Sequence, residues 1–336
     1  RGMTPRSAIL FSSLSLLTAA LFVAGLAVGS ANLPPHEVWA ALTGGACDPV
    51  TAKIVLDIRL MKAVVALLAG MSLAVSGLLM QTLFRNPLAG PYVLGVSSGA
   101  SLGVAIFILG APMAGLVGQS WFSALGIAGA AWVGSAATLA AVAAVSRRIK
   151  DIMVILILGM MISSAVSAVV QILQYLSNEE SLKSFVVWTM GSLGDVTSAQ
   201  LSLAAPAVAA GLAISVAVIK PLNMLLLGES YARTMGLDVR RTRSLILLAT
   251  TLLAGTVTAF CGPIGFIGLA IPHVARIAFR NADHRVLVPA AALAGAASLL
   301  ACDIVSKLLA LPVNTITALM GIPIVVWVVV RNKNIV

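Results

Sequence analysis

Four ionisable side chains stand in stretches of the sequence that are otherwise apolar. Asp303 and Lys307 are four residues apart with the acid first, the order that favours an ion pair within one helix. Arg59 and Lys62 are three residues apart and share one helix face. Charges inside apolar segments are costly and often functional. Two interpretations stay open: an ion pair that satisfies itself, and a patch of three cations, Arg59, Lys62 and Lys307, that docks an acidic partner.

Several kinds of reaction centre are missing from the sequence. No GxxxxGK[ST] loop is present, so we expect the chain not to hydrolyse ATP by itself. Cys47, Cys261 and Cys302 have no metal-ligand spacing and form no disulfide framework, and His273 has no second ligand at a matching spacing. No nucleophile with a matching base is recognisable. The sequence therefore argues against an enzyme, and we expect the chain to bind no metal and no cofactor.

The stretch FRNPLAGPYVLGVSSGAS, residues 84–101, is polar, proline-broken and rich in small residues. We expect a tight turn over Pro87–Pro91 and a helix that begins at Tyr92. Glycine recurs at every fourth position of that helix, at Gly95, Gly99 and Gly103. This spacing puts the glycines on one face, where a neighbouring backbone can approach closely. The serines between them can bond across a helix interface or back to their own turn.

A second unusual stretch, CGPIGFIGLAIPHVAR, covers residues 261–276 and carries three closely spaced glycines. Pro272 stands where it could open a helix. Irregular backbone at membrane depth is tolerated only when it is buried in protein or lines a cavity. The stretch is therefore either a broken helix beside a transport path or a packing kink, and we expect His273 to be a hydrogen-bonded structural residue.

Composition determines what kind of element carries these residues. The chain has 336 residues, of which 60% are hydrophobic and 10% charged, and its mean hydropathy is +1.06. Soluble domains carry about 25% charged residues. Apolar stretches long enough to cross a bilayer as helices recur along the whole length. We therefore expect one all-α polytopic membrane domain over residues 1–336.

The apolar stretches predict about ten transmembrane helices. They cover roughly Ala8–Gly29, Ile54–Phe84, Tyr92–Gly110, Val117–Val145, Ile152–Leu176, Leu201–Ile219, Ser244–Phe260, Ile264–Phe279, Val286–Leu309 and Ile316–Val330.

The distribution of cations orients this arrangement. With the N-terminus inside, five cations fall on the outer side, namely Lys53, Arg59, Lys62, Lys183 and Lys307, and the other 16 of the 21 Lys and Arg fall on the inner side. Inner loops of membrane proteins carry an excess of cations, so both termini are expected to be cytoplasmic. The net charge of +10 is thus explained by topology, and we expect no nucleic acid partner.

Five ordered blocks resemble a known family. They are RNPLAGPYVLGVSSGASLG, GESYARTMGLDVRRTR, GPIGFIGLAIPHVAR, ADHRVLVPAAALAGAASLLACDIVSKL and TALMGIPIVVWVVV. In order and spacing they resemble the FecCD-type permeases of bacterial ABC importers for iron chelates, such as ferric siderophores and haem, and for cobalamin. The resemblance runs along essentially the whole chain.

This resemblance implies the type II ABC importer architecture and its partners. The permease would be a homodimer in the bacterial inner membrane that moves a large metal chelate from periplasm to cytoplasm. Two cytoplasmic ATP-binding cassette subunits, which use ATP and Mg, would bind its inner face. A periplasmic substrate-binding protein would dock on its outer face.

The resemblance also implies roles for individual residues. Residues 222–241 would be the loop that couples to the ATPase, and its pattern is carried by Gly228, Glu229, Ala232, Met235, Gly236 and Leu237. Docking of the binding protein would fall to Arg59, Lys62 and Lys307. Gate or path residues would be Asn86, Pro87 and Leu88, with Asp151 and Ile152 as a second gate element. The chain departs from the family before its last span, where the loop is shorter and Asn314 stands in place of a common glycine.

Two other functions compete with this interpretation. An ion-gradient-driven secondary transporter usually needs several buried carboxylates, and Asp303 is the one candidate, with a cation nearby. A channel or receptor would need a charged ring or a filter motif, which is not recognisable. Five residues of the fifth span could face a path, but we expect ordinary core packing for them: Met160, Met161, Gln171, Gln174 and Tyr175.

Overall fold

The computed structural model describes residues 5–29, 33–110, 124–146, 149 and 151–332, and within these ranges the regular elements are all helices. The helices are α1 (Pro5–Ala27), α2 (Pro35–Thr43), α3 (Pro49–Leu83), α4 (Val96–Gly110), α5 (Ala124–Ser146), α6 (Ile152–Leu176), α7 (Glu179–Thr189), α8 (Ser198–Ala217), α9 (Ile219–Leu225), α10 (Glu229–Thr234), α11 (Val239–Cys261), α12 (Ile267–Phe279), α13 (His284–Leu309) and α14 (Val313–Asn332).

Each of the ten predicted spans corresponds to an apolar helix. Seven helices are long and apolar enough to cross a membrane, and α4, α12 and α14 are shorter apolar helices. The prediction of an all-α membrane protein is therefore confirmed. The predicted start of the fourth span, residues 117–123, lies outside the described residues.

Two predicted helix starts were wrong. The helix after residues 84–95 begins at Val96 and not at Tyr92, because Gly95 precedes it in the left-handed conformation with φ 86°. Pro272 does not open a helix but lies inside α12, which begins at Ile267.

Helix α3 is the centre of the core and packs on α13 and α12. Glycines make these contacts possible: a Cβ on Gly70 would collide with the carbonyl oxygen of Gly295, and one on Gly77 would collide with that of Gly268. The helices α3 and α13 run antiparallel, since Lys62 in the first half of α3 meets Asp303 near the end of α13, and Thr82 near the end of α3 meets His284 at the start of α13. Close backbone packing thus fixes which polar side chains of the two helices can meet.

The glycine face of α4 packs against α5. The predicted close approach of a neighbouring backbone is present at two of the three glycines, Gly99 and Gly103. A Cβ on Gly99 or Gly103 would collide with backbone oxygens of α5, those of Gly134 and Ala130. Gly95 instead caps the helix. The serine face of α4 is therefore turned away from α5.

The stretch 262–266 separates α11 from α12 as a non-helical break. Gly262 and Phe266 have φ of 75° and 68°. The side chain of Asn314 accepts a hydrogen bond from the Gly265 N–H at 2.9 Å, and the Tyr92 hydroxyl donates one to the Ile264 carbonyl at 3.0 Å. These bonds satisfy backbone groups that a helix would otherwise pair. The break itself is therefore present, and a transport path beside it stays a prediction.

Candidate functional site

A single buried carboxylate joins two of the predicted docking cations. Asp303 on α13 is 1% exposed and lies 2.7 Å from Lys307 Nζ and 3.2 Å from Lys62 Nζ on α3. The predicted ion pair between Asp303 and Lys307 is therefore present, and Lys62 joins it. Two cations around one anion leave the group with an excess positive charge.

The third cation, Arg59, lies in a π-helical stretch of α3 and reaches the end of α1. Its guanidinium donates hydrogen bonds to the carbonyls of Leu26 and Ala27, both at 2.9 Å, and Lys307 donates to Gly25 at 3.0 Å. Cations favour the C-terminal carbonyls of a helix because the helix dipole is negative there. We call Arg59, Lys62, Asp303 and Lys307 the cation cluster.

These contacts bear on the docking hypothesis. Arg59 is 4% exposed, and the Lys62 and Lys307 side chains point at Asp303. The contacts of the cluster join α1, α3 and α13 within a single chain. Docking of an acidic partner on these three cations stays a prediction.

The serine face of α4 opens into a polar cleft. The cleft has a volume of about 410 Å³ and lies between α4, α6, α7 and the turn that precedes α4. Its polar lining consists of hydroxyl and amide side chains: Tyr92, Ser97, Ser98, Ser101, Ser163, Ser167, Gln171, Gln174 and Thr189. Such a surface offers hydrogen bonds to a ligand without binding it by charge.

The expectation of core packing for the fifth span was wrong. Gln171 and Gln174 line the cleft, and Met160, Met161 and Tyr175 are exposed on the surface of α6. Sequence alone does not distinguish an apolar face that packs in the core from one that faces lipid or another chain.

The 222–241 segment forms a short helix between two left-handed glycines. Gly228 has φ 104° and Gly236 has φ 88°, and α10 lies between them. Only glycine adopts such φ angles at little cost, which explains why glycine stands at both positions. Ala232 is fully buried against the core, whereas Met235 is exposed.

The outer surface of this segment is apolar. Leu227, Tyr231 and Met235 are spaced four residues apart and are each more than half exposed. Leu237 is partly buried and packs against the core. Tyr231 lies on α10, and Leu227 and Met235 flank it. An exposed apolar stripe of this kind is typical of a contact surface for another protein.

Glu229 stabilises the same segment. Its Oε1 lies 2.6 Å from Arg233 Nη2, four residues along, and 3.3 Å from Arg243 Nη2 on α11. The pair with Arg243 ties α10 to the first turns of α11. Of the six residues that carried the family pattern here, Glu229, Ala232 and Leu237 hold the segment in place and Met235 faces outward.

The predicted gate residues form capping and turn structures. The Asn86 side chain accepts a hydrogen bond from the Leu88 N–H at 2.8 Å, and Leu88 is 46% exposed. Asp151 caps α6 by accepting from the Met153 N–H, and Ile152, the first residue of α6, packs partly buried against the core. Gating by these residues stays a prediction.

Behind this turn lie six side chains that form hydrogen bonds. A hydrogen-bonded role was predicted from the sequence for one of them, His273, and for none of the other five. The six are Gln81, Thr82, Asn223, His273, Arg276 and His284, and we call them the buried polar network. Apart from His273, the signal available was only that polar residues stand at the ends of apolar helices.

The proton positions in one half of the network follow from Asn223. Its amide donates to Asp283 Oδ1 at 2.7 Å, so its oxygen faces His284, whose Nδ1 lies 2.8 Å away and must donate. In neutral His284, Nε2 is then an acceptor for the Thr82 hydroxyl at 2.8 Å, and the single proton of that hydroxyl also has the Leu78 carbonyl within reach at 2.9 Å. The backbone N–H of Arg285 lowers the pKa of Asp283, and the Asn223 amide lowers that pKa further, so the carboxylate is ionised at neutral pH.

The other half connects α3 to the turn. Arg276 Nη1 donates to Gln81 Oε1 at 2.6 Å, and Gln81 Nε2 donates to the Leu269 carbonyl at 3.1 Å. His273 Nε2 donates to the Pro87 carbonyl at 2.7 Å, which confirms His273 as a hydrogen-bonded structural residue.

Comparison with known proteins agrees with this architecture. The family model of the FecCD transport family matches residues 17–331. The hemin transport system permease protein HmuU of Yersinia pestis is 34% identical over 318 residues, 92% of either chain. The vitamin B12 import system permease protein BtuC of Klebsiella pneumoniae is 35% identical over 325 residues, 95% of this chain and 93% of that protein.

A solved structure has the same fold. It is a metal-chelate type ABC transporter in an inward-facing conformation, and it superimposes with a TM-score of 0.83 at 31% identity. The match covers 96% of this chain and 99% of that chain.

Proposed function

The chain belongs to the FecCD transport family, and from that premise we propose that it is the membrane permease of an ATP-driven importer of a large metal chelate. Ferric siderophore, haem and cobalamin are the candidate cargoes. Two copies of the chain would form the pathway in the bacterial inner membrane, with both termini in the cytoplasm.

The observation that carries this proposal is the apolar stripe of the 222–241 segment. Tyr231 projects from α10, and Leu227 and Met235 lie just before and just after that helix. The segment is anchored by buried contacts such as that of Ala232, so these three side chains present one exposed apolar surface. An ATPase subunit with an apolar groove would bury these side chains and could pull on the segment as it changes shape. Such binding supplies the differential affinity for two conformations that directional transport requires.

The polar cleft supports the choice of cargo class. Its polar lining of hydroxyls and amides would contact a chelate through weak, exchangeable hydrogen bonds and would not compete for the metal. A chelate could therefore pass without being trapped. The exposed apolar face of α6 next to the cleft is a surface for the second copy.

The proposal is tested by uptake into vesicles that contain the chain, its ATPase and its binding protein. Labelled cobalamin, haem and a ferric siderophore are supplied outside, with ATP inside and vanadate or a protonophore added in turn. We expect vanadate-sensitive uptake of one compound. Uptake that resists vanadate and stops with the protonophore would instead indicate an ion-gradient-driven transporter.

The contact surface is tested by Met235→Asp. A charge in a buried apolar contact should weaken ATPase binding by about tenfold or more. The matched control is Leu42→Asp, an exposed apolar residue of α2 that lies outside the segment. Equal binding of the ATPase to both variants in a pull-down titration would contradict the assignment.

A further inference from the structure

We propose that the buried polar network makes the 222–241 segment and the 84–95 turn move as one body. The inference rests on the proposed function, in which an ATPase moves the first of these segments. It assigns a positioning role to side chains that contact neither the ATPase surface nor the cleft lining.

The first link joins the 222–241 segment to α3. Asn223 lies on α9, and its side-chain oxygen accepts from both the backbone N–H and Nδ1 of His284, at 2.9 and 2.8 Å. His284 in turn binds Thr82, the second-last residue of α3, at 2.8 Å. Asp283 fixes the orientation of the Asn223 amide, so the donors and acceptors between Asn223 and His284 are defined.

The second link joins α3 to the turn. Gln81, next to Thr82, bonds two positions of α12, the Leu269 carbonyl and the Arg276 guanidinium. His273, three residues before Arg276 on the same helix, donates to the Pro87 carbonyl inside the turn. Because α12 is one short helix, the position of the turn follows that of Gln81.

Burial makes these links stiff. His284 is 0% exposed and Gln81 and Thr82 are 3% exposed, so water cannot replace a broken bond without opening the core. An unpaired buried polar group costs more than the bond itself contributes. The segments would therefore be displaced together before these bonds separate.

The proximity of Arg85 to Gly228 supports the same pairing. Arg85 belongs to the turn, and its Nη1 would lie 3.6 Å from a Cβ placed on Gly228 of the 222–241 segment. Arg85 itself has φ 47°, a conformation that few residues other than glycine adopt. The turn and the segment thus lie close to each other outside the network as well as being linked through it.

The test compares Thr82→Val with Thr82→Ser in the complete importer. Valine keeps the shape of threonine but loses the hydroxyl, whereas serine keeps the hydroxyl. We expect Thr82→Val to lower the substrate moved per ATP hydrolysed about fivefold, which is about 1 kcal/mol at 1.4 kcal/mol per tenfold. ATPase binding should stay unchanged, and Thr82→Ser should resemble the unsubstituted chain.

A distance measurement adds a readout that a loss of stability would not produce. Spin labels on Lys220→Cys of α9, the helix that carries Asn223, and on Leu88→Cys of the turn, both exposed, report the separation of α9 and the turn in a Cys47→Ser background. We expect one distance with and without ATP in the unsubstituted chain, and a distance that changes with ATP in Thr82→Val. If Thr82→Val fails to fold, Asn223→Ala takes its place at the other end of the link.

The outcomes separate the two proposals. An unchanged transport ratio and a constant distance in Thr82→Val, or in Asn223→Ala where that replaces it, would overturn the inference and leave the proposed function standing. Absence of ATP-driven uptake by the unsubstituted chain would overturn the proposed function and the inference with it.

Discussion

The cation cluster and the buried polar network lie at opposite ends of α3 and hold their helices by different means. At one end, Lys62 and Lys307 share the carboxylate of Asp303, so the contact depends on charge and on a single acceptor. At the other end, Thr82 and His284 form neutral hydrogen bonds with defined donors and acceptors. A buried charged contact is costly to disrupt, whereas a series of directional hydrogen bonds fixes relative position.

This difference indicates a division of roles along one helix. The cation cluster ties the end of α1 to α3 and α13, and we expect it to remain closed while the importer works. The network connects two segments that the proposed function requires to move. Stability should therefore respond most to changes in the cluster, and transport should respond most to changes in the network.

The largest effect on stability is expected from Asp303→Asn. Without the carboxylate, Lys62 and Lys307 are left as cations without a counter-charge, which should cost about 3–5 kcal/mol. Thermal unfolding in detergent measures the loss. The control is Asp57→Asn, an exposed acid on the same stretch of α3, for which we expect little change.

A second variant sharpens the interpretation of that loss. Lys307→Met in the Asp303→Asn background removes one of the two uncompensated cations and should restore part of the stability. If the double variant is as unstable as the single one, charge is not what holds this end together.

A smaller effect is expected from Asn314→Ala, which removes a neutral hydrogen bond on the chain segment that follows α13. The Gly265 N–H loses its acceptor in the break between α11 and α12, at a cost of about 1 kcal/mol. Asn314→Asp keeps an acceptor and serves as the control. A loss as large as that of Asp303→Asn would contradict the distinction between charged and neutral contacts.

The smallest effect is expected from Glu229→Gln in the 222–241 segment. Its partner Arg233 is half exposed, and surface ion pairs contribute less than about 1 kcal/mol. Unfolding should therefore shift little, and Arg233→Gln should match it. A large loss in Glu229→Gln alone would show that the less exposed Arg243 is the partner that matters.

The sequence by itself determined the elements and the local pairs. Runs of apolar residues predict the ten apolar helices, because a bilayer-spanning helix needs that length. The spacing of Asp303 and Lys307 predicts their ion pair, since residues four apart share a helix face. The glycines at 228 and 236 mark the limits of α10, because the positive φ angles at these two positions favour glycine.

Only the tertiary structure decided which distant residues meet. Thr82 and His284 are 202 residues apart, and their contact depends on antiparallel packing of α3 on α13, which the close approach of Gly70 and Gly295 permits. The same packing brings Lys62 to Asp303, a pairing that helical spacing cannot predict. A hydrogen bond or ion pair acts over a few ångströms in space, whereas sequence patterns report only neighbours along one helix.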